Sequence, residues 1–265
     1  AGAGRRRCQA SLGDRGISNI GVFRAAMWSY FTRLDYGYKG KYLLDATFRR
    51  DGSSLFGSEN RYANFPAVGV AWRISDESFM QSIAWLTDLK LRAGWGQMGS
   101  QSNVSPLNQY STFISDPART NYDINGAQTG ATQGYRAGLE GNPQTKWETT
   151  ETTNIGVDVT LLHGKWEFSL DVYKKDTRDL LVQQFRNGLE PLIDKPFNNL
   201  GTMRNTGIDF TAGHRGKFGR DFEYDLSMTF SHYKNKMTKL NNEGTPRIIN
   251  LERLSNAIRT ETGQP

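Results

Sequence analysis

The stretch WEFSLDV at residues 166–172 decides the fold, because every second side chain in it is large and apolar while those between are charged or small. Successive side chains of a β-strand point to opposite faces, so this segment has one apolar face and one polar face. The same alternation runs through residues 222–230 and 30–38. A sheet with so long an apolar face needs either a second sheet or lipid to cover it.

The composition differs from that of a soluble domain of this length. Hydrophobic residues make up 37% of the 265 residues, whereas aromatic residues reach 12% and there are 28 glycines. No run approaches the ~20 apolar residues of a spanning helix, which leaves a β-barrel as the way to cross a membrane. The low mean hydropathy of −0.62 is compatible with a barrel that has a polar lumen.

Charge and cysteine content exclude several classes of protein. The net charge is +6, but the positive residues are scattered apart from Arg5-Arg6-Arg7, which favours a solvated or lumen-facing surface over nucleic-acid binding. The single cysteine, Cys8, excludes an internal disulfide framework and a cysteine-based metal cluster. The first residues lack the apolar core of a signal peptide, so we expect the front of an exported protein to be missing.

The alternation predicts eight strands joined by alternately short and long connections. The strands are expected near 29–38, 42–50, 65–74, 88–97, 153–162, 165–174, 204–213 and 221–234. The short connections are 39–40, 163–164 and 214–220, with a somewhat longer one at 75–87 that contains a helical turn around 76–80. The long ones are 51–64, 98–152, 175–203 and the residues after 235. This sorting is typical of outer-membrane barrels, with short periplasmic turns and long extracellular loops. The alternative is a secreted or surface β-sandwich module that binds glycans or mediates adhesion.

The two faces of the predicted sheet carry different residues. The lipid-type face holds Leu44, Ala46, Phe48, Val68, Val70, Trp72, Leu89, Leu91, Trp95, Ile155, Val157 and Val159. We expect Trp166, Phe168 and Phe230 on that side, with Asp225 on the other. The face predicted to line a lumen holds Arg33, Asp35, Asp45, Arg49, Lys90, Arg92 and Asp158. Such charges suit the gated passage of a hydrophilic solute better than a permanently sealed core.

The long loop at 98–152 is the candidate ligand-binding region. Loops above about 15 residues without secondary structure are usually functional. This one is rich in amide and hydroxyl side chains, among which are spaced Tyr110, Phe113, Tyr122, Tyr135 and Trp147. Aromatic faces backed by amides suit sugar rings or peptides. The alternative is that these rings pack the loop on itself.

Other functional motifs are weak. GWGQMG at 94–99 matches the dinucleotide fingerprint, but a loop instead of a helix follows it, which favours a strand end. His163, His214 and His232 are isolated, and the oxygen-rich segment 51–60 lacks the EF-hand spacing. No nucleophile elbow occurs. We therefore expect no catalytic residue, no metal and no cofactor, with an outer-membrane enzyme as a minor alternative.

Several segments resemble SusC/RagA-type TonB-linked outer-membrane transporters, in that family's order. They are YFTRLDYGYKGKYLLDATFRRDGSSLFG (30–57), FPAVGVAWRISDESFM (65–80), LKLRAGWGQMGSQ (89–101), the run from Lys146 to Val182, NNLGTMRNTGIDF (198–210) and SHYKNKM (231–237). The two Asn-x-Gly-x-Asp segments at 154–158 and 205–209 are similar to the family's strand starts. Leu55 departs from the arginine usual before Phe-Gly, and residues 1–28 match nothing in the family.

The resemblance implies a barrel of about 22 strands plugged by an N-terminal domain, in the outer membrane of a Bacteroidota-type bacterium. It implies import of oligosaccharides or peptides with a SusD/RagB-like surface lipoprotein, powered by TonB–ExbB–ExbD. Residues 1–28 are then an unassigned linker, 29–240 part of the barrel, and 241–265 a truncated extracellular loop. We expect the plug, the TonB box and the closing strand to lie outside this sequence.

Overall fold

The computed structural model describes residues 25–115, 120, 122, 132–183, 193–219 and 221–240, with short backbone pieces at 247–248 and 259–260. The expectations about Arg5-Arg6-Arg7 and Cys8, and most of those about 241–265, fall outside the described residues. The predicted domain bounds of 1–28, 29–240 and 241–265 stay predictions. In the part of the chain that the structure describes, no helix is long and apolar enough to cross a membrane.

The chain is almost entirely β-structure, as predicted. The strands are β1 (Met27–Tyr38), β2 (Tyr42–Ser53), β3 (Tyr62–Arg73), β4 (Leu86–Ser100), β5 (Phe113–Ile114), β6 (Arg136–Ala137), β7 (Glu148–Leu161), β8 (Trp166–Gln183), β9 (Phe197–Phe218), β10 (Phe222–Leu240), β11 (Arg247–Ile248) and β12 (Arg259–Thr260). Eight of them form one antiparallel sheet in the order β1-β2-β3-β4-β7-β8-β9-β10, while β5–β6 and β11–β12 are separate two-stranded ribbons. The prediction of eight long up-and-down strands is confirmed.

Several predicted boundaries are wrong. Strand β8 continues to Gln183 and β9 begins at Phe197, so the loop predicted at 175–203 is much shorter. The connection predicted at 214–220 belongs to β9 as far as Phe218. The predicted helical turn is a 3-10 turn at Ile74–Asp76, slightly earlier than expected.

The turn between β1 and β2 shows how the short connections form. Lys39 and Gly40 both have positive φ, 52° and 68°, and the Lys41 amide donates to the Tyr38 carbonyl over 3.0 Å. Positive φ at both central residues matches the twist of a two-residue hairpin, and glycine adopts it without strain.

The strand register separates the two faces of the sheet as predicted. Residues directly opposite on neighbouring strands share a face. One such row runs Val157–Leu170–Phe210–Phe230 across β7 to β10. Equivalent pairings place Trp72, Trp95, Trp166, Phe168 and Leu44 on this apolar face, and Asp45, Asp158 and Asp225 on the opposite one.

Nothing in the described part of the chain covers the apolar face. Leu170, Val172 and Phe230 on it remain 37%, 49% and 59% exposed. The described residues form a single large sheet, so the sandwich alternative, which needs a second sheet over this face, is not supported. An exposed apolar face of this size is what a lipid-facing barrel wall presents.

Aromatic side chains border the apolar face at both ends. At the turn end Tyr42 lies between Tyr38 and Trp72, with ring centroids 6.4 and 6.3 Å apart. At the loop end Trp28 contacts Tyr30 and Tyr62 at 4.3 and 5.5 Å. Such girdles mark the two membrane–water interfaces of a transmembrane barrel.

Candidate functional site

The polar face of the sheet contains all the residues predicted to line a lumen. They are Arg33, Asp35, Asp45, Arg49, Lys90, Arg92 and Asp158, on one face by register. Each takes part in an ion pair on the sheet itself, for example Arg33 with Asp45 at 2.8 Å and Arg49 with Asp51 at 2.7 Å. The charges on this face are therefore largely balanced within the sheet.

Asp158 on β7 is the centre of the densest part of this network. Both of its carboxylate oxygens accept from the Arg92 guanidinium, at 2.8 Å each, and Lys90 lies 3.0 Å away. Arg92 also donates to Asp171 over 2.9 Å, which ties β4 to β7 and β8. A bidentate arginine–carboxylate pair is strong and directional, so these side chains have little freedom to reorganise.

The loop end of the sheet carries a small hydrophobic core. Its buried members come from separate segments of the chain: Phe56, Phe65, Val104, Trp147 and Leu181. The Trp147 ring lies 4.8 Å from that of Phe56 and 5.9 Å from that of Phe65. The long connection between β4 and β7 is therefore packed onto the sheet at its base.

A hydrogen-bonded asparagine fastens the same loop to the start of β9. Asn108 is 1% exposed, and its side-chain amide donates to Thr145 Oγ1 at 2.8 Å and to the Phe197 carbonyl at 3.1 Å. Its side-chain oxygen accepts from the Phe197 amide at 2.7 Å. Next to it, the Asn199 side chain bonds both the amide and the carbonyl of Lys146. A buried amide whose hydrogen bonds are satisfied, as at Asn108, specifies one loop position.

The predicted ligand-binding aromatics divide into two groups. Four are exposed on the outer part of the loop: Tyr110, Phe113, Tyr122 and Tyr135, at 58%, 72%, 55% and 68%. The β5–β6 ribbon pairs Phe113 with Ala137, and Tyr122 forms a bridge with Thr132, so paired backbone holds these two. Trp147 is only 5% exposed and packs in the core instead, so it leaves the candidate set.

A cavity of about 280 Å³ lies beneath the β5–β6 ribbon. Its lining is mixed: Leu107, Ile114 and Leu139 are apolar, whereas Asn108, Asp194 and Lys195 are polar or charged. Its volume lies at the lower limit for small-ligand sites.

Residues that the sequence analysis did not single out complete the turn end of the sheet. The Glu77 carboxylate accepts from Tyr42 Oη at 2.8 Å, from Lys41 Nζ at 3.1 Å and from Trp72 Nε1 at 3.2 Å. These hydrogen bonds, led by that from Tyr42, lower the pKa of Glu77 below its usual value. Neither Glu77 nor the buried Phe56 and Asn108 has a local sequence signal, because most of their partners are distant in the chain.

The match to known families covers most of the chain. The profile of the family described as TonB dependent receptor-like, beta-barrel matches residues 7–257. The expectation that residues 1–28 match nothing in the family is therefore wrong from residue 7 onward. The TonB-dependent receptor SusC of Bacteroides thetaiotaomicron is 33% identical over 224 residues, which are 82% of this chain and 21% of that protein. TonB-dependent receptor P26 of Formosa agariphila is also 33% identical, over 80% of this chain and 20% of its own length.

A solved structure is similar over almost the whole chain. The RagAB peptide transporter superposes with a TM-score of 0.76 and 26% sequence identity, over 91% of this chain and 25% of the transporter chain. This chain therefore spans about a quarter of that structure's chain, and it spans 20–21% of the SusC and P26 receptors.

Proposed function

This chain belongs to the TonB-dependent receptor-like β-barrel family of the outer membrane, and on that basis we propose that the intact protein imports a hydrophilic solute through its barrel. The observation that carries the proposal is the separation of the two faces across the eight strands. One face is apolar and exposed, whereas the opposite face carries paired charges such as Arg92–Asp158. A barrel wall with this polarity encloses a polar interior.

The paired charges suit the interior of a gated transporter. A plug domain that contacts Arg33, Asp45 or Asp158 would meet groups that already have partners on the sheet. Such polar contacts cost little to exchange for water, since their charges keep a neighbour when the plug leaves. We therefore propose that this face lines the lumen and holds the plug reversibly.

The proposed substrate is an oligosaccharide or a peptide. Phe113 and Tyr135 are exposed on the long loop between β4 and β7, and we propose that an arriving solute meets them first. Aromatic rings stack on sugar rings and on peptide side chains with little loss of conformational entropy. The similarity to the RagAB peptide transporter supports a peptide. The oligosaccharide is proposed from the family resemblance described in the sequence analysis.

The proposed partners are a SusD/RagB-like surface lipoprotein at the loop end and the TonB–ExbB–ExbD complex, which supplies the energy. The relatives named above are receptors and transporters, not enzymes. We accordingly propose no catalytic role for the chain.

Uptake by the intact protein in its native outer membrane tests the proposal. Cells with the gene, cells without it and cells lacking TonB would be given a fluorescent peptide mixture and, separately, a fluorescent oligosaccharide mixture. Accumulation of one mixture that needs both the gene and TonB is expected. Equal accumulation in all three strains, for both mixtures, would overturn the transport proposal.

A further inference from the structure

The apolar face of β8–β10 ends in a cluster of cations toward the loop end. On each strand the cations lie beyond the last apolar residues of this face. They are Lys174 on β8, Arg204 on β9, and Lys234 and Lys236 on β10. The register pairs Lys174 with Thr206, Thr206 with Lys234, and Arg204 with Lys236. These four cations therefore project from three adjacent strands on the same face as the apolar side chains.

Little negative charge balances this cationic cluster. Two carboxylates of the described strands share this face. Asp176 binds Arg204 at 2.6 Å and Lys174 at 3.1 Å. Glu151, opposite Asp176 on β7, pairs with Arg178 at 3.5 Å. Among the residues that the structure describes, no carboxylate pairs with Lys234 or Lys236, and both side chains are exposed. The cluster is thus left with a surplus of positive charge and with free N–H donors.

The cluster borders a groove whose floor is apolar. The groove has a volume of about 480 Å³; its lining includes Ile155, Val172 and Ile208, with Lys174 and Lys234 beside them. A site for a free inorganic anion would require the cations but no apolar floor. An apolar floor next to cations fits a molecule that has a hydrocarbon chain and an anionic head.

The height of the cluster matches the head-group region. Lys234 lies twelve residues along β10 from Phe222 at the turn end. At about 3.4 Å per residue and a tilt of about 40°, this is roughly 30 Å along the membrane normal. The apolar band of such a barrel is about 25 Å tall, so the ammonium lies just beyond it. A lipid-facing charge costs little at that height.

We propose that the groove between β7 and β10 binds a phosphorylated lipid of the outer leaflet. Lys174, Arg204, Lys234 and Lys236 donate to its head-group phosphate, and an acyl chain lies on Val172 and Ile208. Phosphate is the group that matches this set, because it offers several acceptor oxygens to ammonium and guanidinium donors. The site faces the membrane and is separate from the proposed solute path on the other face of the sheet.

The test compares the intact protein with two variants that lose the same charge. Lys234→Gln/Lys236→Gln removes the two cations without carboxylate partners. Lys175→Gln/Lys217→Gln is the control, since both lysines project from the polar face of β8 and β9. Each protein, purified in detergent, would be titrated with lipid A carrying a single phosphate and followed by native mass spectrometry. Inorganic phosphate and fully dephosphorylated lipid A would be titrated in parallel.

The site variant should bind the phosphorylated lipid more weakly than wild type, by roughly fivefold for each of the two cations removed and thus about 25-fold in all. The control should bind as wild type does, and the dephosphorylated lipid should bind weakly to all three. Equal lipid affinity in the site variant and wild type would overturn the proposal. Inorganic phosphate that displaces the lipid at equal concentration would also overturn it, since the acyl chain would then contribute nothing. Heat-resistant migration on gels confirms that each variant is folded.

Discussion

The indole of Trp147 stacks on the ring of Phe56, with centroids 4.8 Å apart and an interplanar angle of 30°. The two residues come from different loops, and Phe56 is fully buried. This contact joins the β2–β3 connection to the end of the long β4–β7 connection. The exposed aromatic residues farther out on that loop therefore depend on a packed base.

Replacing Trp147 with alanine should loosen the long loop without unfolding the barrel. Truncation of a buried aromatic residue costs about 3–5 kcal/mol, and here the loss falls on a local cluster. Limited proteolysis of the intact protein should show faster cleavage within residues 101–147. The control is Tyr135→Ala, because Tyr135 is 68% exposed and contributes little packing. Equal cleavage rates in the two variants would contradict the role of the cluster.

An Asn108→Asp substitution should release the start of β9 from the loop. Aspartate keeps the shape but loses the donors to Thr145 and the Phe197 carbonyl, at a cost of about 1–3 kcal/mol for the unsatisfied groups. Hydrogen exchange at residues 197–199 should become faster. The matched change at exposed Asn103, Asn103→Asp, should leave that exchange unaltered. Protection that is the same in both variants would show that Asn108 does not hold this junction.

Arg92→Gln should destabilise the barrel wall, because it leaves Asp158 and Asp171 without the cation between them. We expect a loss of about 1.5–3 kcal/mol, as for hydrogen bonds to charged groups. The temperature at which the intact barrel loses its heat-resistant gel migration reports this loss. Adding Asp171→Asn should restore part of the stability, since one repelling charge is removed. A double variant no more stable than the single one would exclude this coupling.

The Glu77 contacts predict a pH dependence. Because the hydrogen bonds from Tyr42, Lys41 and Trp72 lower the pKa of Glu77, the folded protein favours its charged form. The stabilisation is therefore present above the unfolded-state pKa of glutamate, about 4.3, and is lost as the pH falls through the lower folded-state pKa. At neutral pH, wild type should melt at a higher temperature than Glu77→Gln. At acid pH, this difference in melting temperature should disappear. A difference that does not change with pH would mean that the charge of Glu77 plays no part.

The sequence predicts the middle of each strand better than its loop end, for a physical reason. Within the membrane, lipid requires an apolar side chain at every second position, as in 166–172. Beyond the band both faces meet water or loops, so the alternation disappears although the strand continues through Thr177 and beyond. One boundary at the opposite, turn end is also wrong. The connection predicted at 214–220 is part of β9 as far as Phe218, because His214 and Gly216 interrupt the apolar pattern on the outward face.

The candidate site is less predictable than the fold. The ion pairs of the polar face follow from alternation once the strands are aligned, and all seven predicted residues lie there. The burial of Trp147 depends on Phe56 and Phe65, which approach it only in three dimensions. The cationic cluster of β8–β10 likewise depends on the pairing of Arg204 with Lys236. Long-range register determines both.

The central claim is that the apolar face meets lipid and the polar face meets the aqueous interior. Leu170 and Ser169 are neighbours on β8 that point to opposite faces. In an otherwise cysteine-free intact protein, Leu170→Cys and Ser169→Cys would each carry a nitroxide label, and collisions with oxygen and with a water-soluble nickel chelate would be measured in lipid bilayers. We expect the label at 170 to collide mainly with oxygen and the label at 169 mainly with the chelate. The reverse order, or equal access to the chelate at both positions, would contradict the barrel orientation and the transport function proposed from it.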